Sequence, residues 1–287
     1  MPVFSRVVPP IASAYVLQSL FALIFVPQEN DKFYDLGGTL GFLSSTFLSL
    51  YYPALISKFI DGIPAALPAL STFAPRQLLL SAALGIWTLR MGSFLTLRSI
   101  RTGGDARFED TKKQPGLFTV FWIAQATWIA LIGLPVYLCN STPASVHPNL
   151  GLRDYAALGL IATSFLFEVV ADNQKFAWRL AKDNKQHNDK FITGGLWSIS
   201  RHPNYVGEVG LWTGVWALST AALQTVYFPK GTVALAAISP FFTWFLLRHV
   251  TGVPILERSA DHKFGKDPKW QEYKRTVPIF WPWGSGN

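Results

Sequence analysis

The apolar residues of this chain come in blocks long enough to cross a bilayer, and no other feature restricts its fold as strongly. The blocks fall at about residues 11–26, 36–60, 77–97, 117–139, 155–170, 206–226 and 233–253. A bilayer core takes about 20 apolar residues per helix, within roughly 17–25. The first and fifth blocks are short, which leaves the count open between roughly six and eight crossings. Only 15% of the residues are charged, against roughly 25% in soluble domains. The expected fold is therefore all-α: a polytopic transmembrane helix bundle of about seven helices with a cytosolic amphipathic C-terminal tail.

Basic residues divide unevenly between the two sides that this count implies. One side collects Lys32, the group from Arg98 to Lys113, the group from Lys175 to Arg201, and the C-terminal run from Arg258 to Arg275. The other holds Arg6, Arg76, Arg153 and Lys230. The positive-inside rule then predicts a cytosolic C-terminus, and seven crossings predict an outside N-terminus. The net charge of +8 is largely this topology signal. No basic stretch is interleaved with aromatics in a soluble domain, so nucleic acid is not an expected partner.

Cys139 is the single cysteine, which rules out an intramolecular disulfide and a thiolate zinc cluster. The five histidines, at 147, 187, 202, 249 and 262, show no ligand-like spacing, so no metal is expected. The first block lacks a small-x-small cleavage site and is expected to be a retained helix. No internal repeat is visible, and no obligate protein partner is evident. The proline-broken run Gly62-Ile63-Pro64-Ala65-Ala66-Leu67-Pro68 separates the first two helices from the rest, within what reads as one integral-membrane domain over residues 1–287.

Polar residues concentrate in three clusters of the C-terminal half. The run Arg201-His202-Pro203-Asn204-Tyr205-Val206-Gly207-Glu208 stands immediately before an apolar block. Pro203 suits the first turn of a helix. On that helix Asn204 and Glu208 share a face, and Arg201 and His202 lie at its positive end, which favours phosphate or carboxylate. The plainer reading is a basic anchor beside the membrane.

Upstream, Glu168, Asp172, Lys175 and Arg179 follow i, i+4, i+7, i+11 spacing and lie on one helical face. They make either a salt-bridge ladder or a wall of a cofactor groove, with acids for ribose hydroxyls and Arg179 for phosphate. Downstream, the tail from Glu257 to Pro278 mixes aromatics with cations. It either lies on anionic lipid or folds back so that Tyr273, Lys274 and Arg275 close over an anionic ligand. Within the blocks, Arg90 and Arg248 call for partners or snorkelling, and Gln125 for a helix–helix hydrogen bond. Neither a Gly-x-Gly-x-x-Gly turn nor a P-loop is present, so any nucleotide must be held by side chains.

The run from Gly195 to Glu208 resembles the signature of a membrane family related to steroid 5-alpha-reductases. Similar blocks are Phe167-Glu168 with Ala171-Asp172, Gly252 to Glu257, Tyr273-Lys274-Arg275, Gly104 to Phe108, and Phe121-Trp122 with Gln125. The resemblance covers roughly residues 85–282, whereas the N-terminal helices of about residues 1–76 depart from the reductases.

It implies a membrane reductase that uses NADPH to saturate an activated carbon–carbon double bond of a lipidic, sterol-like or fatty-acyl substrate. It further implies that Glu168, Asp172, Arg179, Trp197, Arg201, His202, Asn204, Tyr205, Tyr273 and Arg275 contribute to cofactor binding. Tyr205 and Glu208 are the candidates for supplying a proton. Membrane lipids are the implied surroundings, with the endoplasmic reticulum or another endomembrane as the expected location. The Arg201-His202-Pro203 core is also similar to membrane methyltransferases of the isoprenylcysteine and phospholipid type, which use S-adenosylmethionine. A non-catalytic lipid-binding protein is the third reading.

Overall fold

A computed structural model describes residues 3–64, 66–102, 108–283 and 286, without the side chains of residues 98, 101 and 102. Gly104-Asp105-Ala106-Arg107, part of the family-like block, lies outside the described residues. Every regular element among the described residues is helical. The long helices are α1 (Val8–Phe25), α2 (Tyr34–Phe59), α3 (Pro75–Thr102), α4 (Pro115–Ile132), α6 (Leu152–Asp183) and α7 (Pro203–Leu223), with the short α5 (Leu134–Asn140) between α4 and α6. The chain closes with α8 (Thr232–Ala236), α9 (Ile238–Phe245), a π-turn at Leu246–Val250, α10 (Val253–Phe264) and α11 (Pro268–Thr276).

Proline opens most of these helices: α1, α3, α4, α5, α7, α10 and α11 each carry it in their first two positions. There its missing N–H would have had no helical partner. The same chemistry divides the fourth apolar block. Gly133 ends α4, and Pro135 restarts the chain as α5, with the Tyr137 ring packed over Gly133 where a side chain would collide.

Six helical stretches are long and apolar enough to cross a membrane: Val3–Phe25, Tyr34–Phe59, Pro75–Leu97, Pro115–Ile132, Leu152–Asp183 and Thr232–Phe264. The sixth expected block, which forms α7, has the length but is not among them. Its apolar residues are interrupted by Asn204, Glu208, Ser219, Thr220 and three glycines, and no residue of it is exposed. A helix surrounded by protein has no need of the uniformly apolar surface that lipid demands, so hydropathy alone understates it.

Two compact units divide the chain. The first comprises Met1–Asp154 and Val215–Ser239. Here α1 packs on α2 and α4, and α2 on α3, around an aromatic cluster in which Trp122 meets Phe21, Phe25, Tyr34 and Phe118. Some polar side chains within it bond across helices: Gln18 donates to the Gly37 carbonyl, and Tyr34 to that of Phe121. The Gln125 amide lies buried against Gly38 of α2, between two helices, but its Oε1 does not make the helix–helix hydrogen bond expected of it.

The second unit comprises Tyr155–Gly214 and Pro240–Asn287. Its frame is the contact of α6 with the start of α7. Gly207, Gly210 and Gly214 line one face of α7, and a side chain on any of them would strike Glu168, Ser164 or Ile161 of α6. Small residues at this spacing let two helix backbones approach closely. The C-terminal helices fold back within this unit: Phe191, Phe264, Trp270, Tyr273 and Val277 form a packed cluster.

Candidate functional site

The signature run lies in the second unit and begins as an irregular segment. Gly195 adopts φ +62° and sits directly on the Gln174 side chain. Only glycine takes that conformation without strain. Gln174 fixes the segment by accepting the Leu196 N–H at 2.9 Å. A single 3-10 turn, Gly195–Ser198, then buries Trp197, whose indole N–H donates to the Ala171 carbonyl at 3.0 Å. The Lys175 ammonium rests 4.5 Å from the centre of that ring. The expected α6 wall therefore touches the signature segment through Ala171, Gln174 and Lys175.

The far side of the segment is held by the C-terminus. Tyr273 donates its hydroxyl proton to the Trp197 carbonyl at 2.6 Å. The Arg201 N–H donates to the Pro278 carbonyl at 2.9 Å. Ser200 donates to the Phe280 carbonyl and accepts the His202 N–H. Burial raises the Tyr273 phenol well above its ordinary pKa of 10, so the group serves as a hydrogen-bond donor rather than an acid.

Between these supports lies a charged triad. Arg201 and His202 are both buried, and both reach Glu257 of α10: guanidinium Nη2 to one carboxylate oxygen at 3.3 Å, imidazole Nε2 to the other at 3.0 Å. Arg201 Nη1 also donates to the Lys274 carbonyl at 3.2 Å. Arg201 Nε and His202 Nδ1 are buried without a hydrogen-bond partner in the protein. Because an ionised carboxylate only accepts, Nε2 carries the imidazole proton, and Nδ1 of a neutral ring presents a lone pair. Burial pulls the His202 pKa below 6.5, outweighing the opposing pull of Glu257, and so keeps the ring neutral at pH 7. Burial likewise lowers the Arg201 pKa, against the pull of Glu257.

Tyr205 stacks parallel to the His202 ring at a centroid distance of 5.6 Å. It can do so because Gly252 has no side chain, and a Cβ there would lie 2.7 Å from the Tyr205 ring. Val209, Val253 and Phe280 form the apolar floor beneath Tyr205.

The structure thus gathers Trp197, Arg201, His202, Tyr205 and Tyr273 into one cluster, with Asn204 half-buried at the second position of α7. Glu168 and Glu208 are both buried, on α6 and α7 respectively, and Glu168 lies against Gly207. Asp172 is half-buried on α6. Two residues of the expected set are exposed: Arg179, and Arg275, which is forked onto Glu272 of its own helix. Sequence reasoning did not single out Glu257, the residue that ties Arg201 to His202. Its only signal is its place at the end of the Gly252–Glu257 block.

With this geometry in view, comparison with known proteins gives a family and one relative. Residues 59–277 match the family described as protein of unknown function (DUF1295). A Delta(14)-sterol reductase of Gibberella zeae is 28% identical over an alignment of 193 positions, covering 53% of this chain and 38% of the relative. The chain therefore spans well under half the length of that relative. No solved structure matches it.

Proposed function

The chain belongs to the DUF1295 family, and from that premise we propose that it is a membrane-embedded reductase that uses NADPH to saturate a carbon–carbon double bond in a lipidic, sterol-like or fatty-acyl substrate. The observation that carries this reading is the Arg201–Glu257–His202 triad, buried and stitched on both flanks, with Arg201 Nε and His202 Nδ1 left for a ligand. The likeness to a protein named a Delta(14)-sterol reductase supports the substrate class.

The residues present fit a dinucleotide. Lys175 and Arg179 offer cations and Asp172 a hydrogen-bond acceptor along one face of α6, near which the orphaned nitrogens provide one donor and one acceptor. When bound, the reduced nicotinamide supplies hydride. His202, neutral and fixed by Glu257, accepts a hydrogen bond at Nδ1 from an amide or hydroxyl. Arg201 holds the loop to the C-terminal segment and offers Nε to an anionic or carbonyl oxygen. Tyr205 and Glu208, three residues apart on α7, are placed to deliver the proton that completes saturation. By the positive-inside rule the signature loop and the helices after Val253 face the cytosol of an endomembrane such as the endoplasmic reticulum.

The test is the thermal midpoint of detergent-purified protein with NADPH, NADH or S-adenosylmethionine added separately. A ligand at about a hundred times its dissociation constant stabilises the fold by about 2.7 kcal/mol. A shift with NADPH, lost in His202→Ala, is the expected result. A shift with S-adenosylmethionine instead would turn the reading to methyl transfer, and none in folded protein would turn it to lipid binding without catalysis.

A further inference from the structure

One cavity has no part in the reductase reading. It lies wholly within the first unit and measures about 260 Å³. Drug-sized pockets run from about 300 Å³ upward, so the space suits the polar end of an amphiphile rather than a whole lipid. Its walls come from the segment before α1, the end of α2, the α2–α3 connection, the start of α3 and the end of α5.

Those walls are mainly apolar but carry a group of polar side chains. Ser49, Tyr52, Gln77, Asn140 and Thr142 line the cavity, and Arg6 is the cation among the lining residues, with no carboxylate beside it there. Arg6 gives Nη1 to the Ser141 carbonyl at 3.1 Å, which fixes the guanidinium while leaving its other N–H groups for an anion. Gln77 is fully occupied, accepting from Ala74 and donating to Asn140 and Thr142. Asn140 is not: Nδ2 donates to Ser49 and Ser81 at 2.8 and 3.0 Å, while Oδ1, in a side chain 94% buried by its 6% exposure, accepts from nothing in the protein. A buried carbonyl oxygen without a donor is costly, by about 1–3 kcal/mol.

The mouth adds a second observation. The α2–α3 connection that supplies Pro68, Thr72 and Phe73 to the wall also exposes Phe59, Ile60, Ile63, Leu67 and Leu70, each by 40–73%. A run of bare large apolar residues beside a cavity that holds polar groups marks a contact with acyl chains rather than water.

We infer that this cavity binds the headgroup of a membrane phospholipid that carries a hydrogen-bond donor beyond its phosphate, as ethanolamine and glycerol headgroups do. Arg6 takes the phosphate, the headgroup N–H or O–H reaches Asn140 Oδ1, and the acyl chains lie along the exposed residues of the connection. A choline headgroup has the phosphate but no donor, so it satisfies Arg6 and leaves Asn140 unmatched. The site is independent of NADPH and of any reductase activity.

The experiment uses full-length protein in a nonionic detergent, stripped of lipid. Binding is measured by native mass spectrometry for phosphatidylethanolamine, phosphatidylglycerol and phosphatidylcholine with identical acyl chains, for diacylglycerol, and for inorganic phosphate. The first two are expected to bind about tenfold or more tighter than phosphatidylcholine. Arg6→Gln is expected to weaken the ethanolamine and glycerol lipids by about tenfold. Ala54→Phe, which fills the cavity from α2, should abolish the preference even if Arg6→Gln does not fold. Equal binding of all three phospholipids, undiminished binding in either folded variant, or displacement by inorganic phosphate alone would overturn the inference.

Discussion

Among the described residues two arginines are buried against carboxylates, one in each unit, and the pairs differ in what else shares the acid. In the first unit Arg76 Nη2 meets Asp154 at 2.8 Å, and Nη1 meets the Pro148 carbonyl at 2.7 Å. Asp154 also accepts the Gly151 N–H at 2.8 Å, so both partners are tied to the backbone where α6 begins. In the second unit the Arg201–Glu257 contact is longer, at 3.3 Å, and the acid is divided between the guanidinium and the His202 ring. The first pair is a staple that closes a helix start. The second contains an imidazole whose pKa burial lowers from 6.5 and whose Nδ1 has no partner in the protein. A buried arginine in a membrane protein is thus a site candidate only when its counter-ion is shared with something that can change state.

Breaking the staple should give the largest effect. Asp154→Asn keeps the shape, leaves Arg76 buried without its counter-charge, and is expected to destabilise by about 3–5 kcal/mol. The readout is a lower thermal midpoint with the response to NADPH intact in whatever protein folds. Glu257→Gln is the matching change in the second unit. The contact is longer and Glu257 is partly exposed, so the expected loss of stability is smaller, about 1–3 kcal/mol. The NADPH-dependent shift should vanish with it. If the two substitutions had the same profile, fold loss and ligand loss in step, the distinction between staple and triad would collapse.

The contrast also explains how far the sequence could be read. Apolar length and proline starts are local properties, and they place the long helices to within a few residues, as at α2 and α3. What fails is anything that depends on the surroundings of a helix. α6 runs to Asp183, well beyond its apolar block, and the stretch just past that block, from Ala171 to Lys175, packs against Trp197 and its neighbours. Helix α7 is diluted in apolar residues because protein encloses it. In the site, Trp197, Arg201, His202 and Tyr205 are legible since they sit within nine positions of one another. Glu257, 55 residues from His202, is joined to them only by the fold. Arg275 carries the right charge at a family-like position, yet a helical neighbour three residues away captures it. Arg76 carries no local sign of burial at all.

The smallest effect separates the two pairs by pH. In the unfolded chain His202 titrates near 6.5, and burial lowers that value in the fold. Below pH 6.5 the unfolded state therefore binds more protons than the folded one. The His202 contribution to stability is fully present above that pH and is lost as pH falls toward the folded pKa, by at most about 1.4 kcal/mol per unit. Arg201 and Lys175 near the ring act in the same direction as burial, and Glu257 opposes them. His147 in the first unit is also pushed down, by burial and by Arg76, so acid weakens both units and wild-type protein alone cannot tell them apart. The difference between wild type and His202→Gln can. Thermal midpoints measured from pH 7.5 to 5 should fall less steeply in the variant, with the remaining slope removed by His147→Gln. Identical slopes in wild type and His202→Gln would mean that His202 gains a proton without cost to the fold, and that Glu257 rather than burial sets the state of the triad.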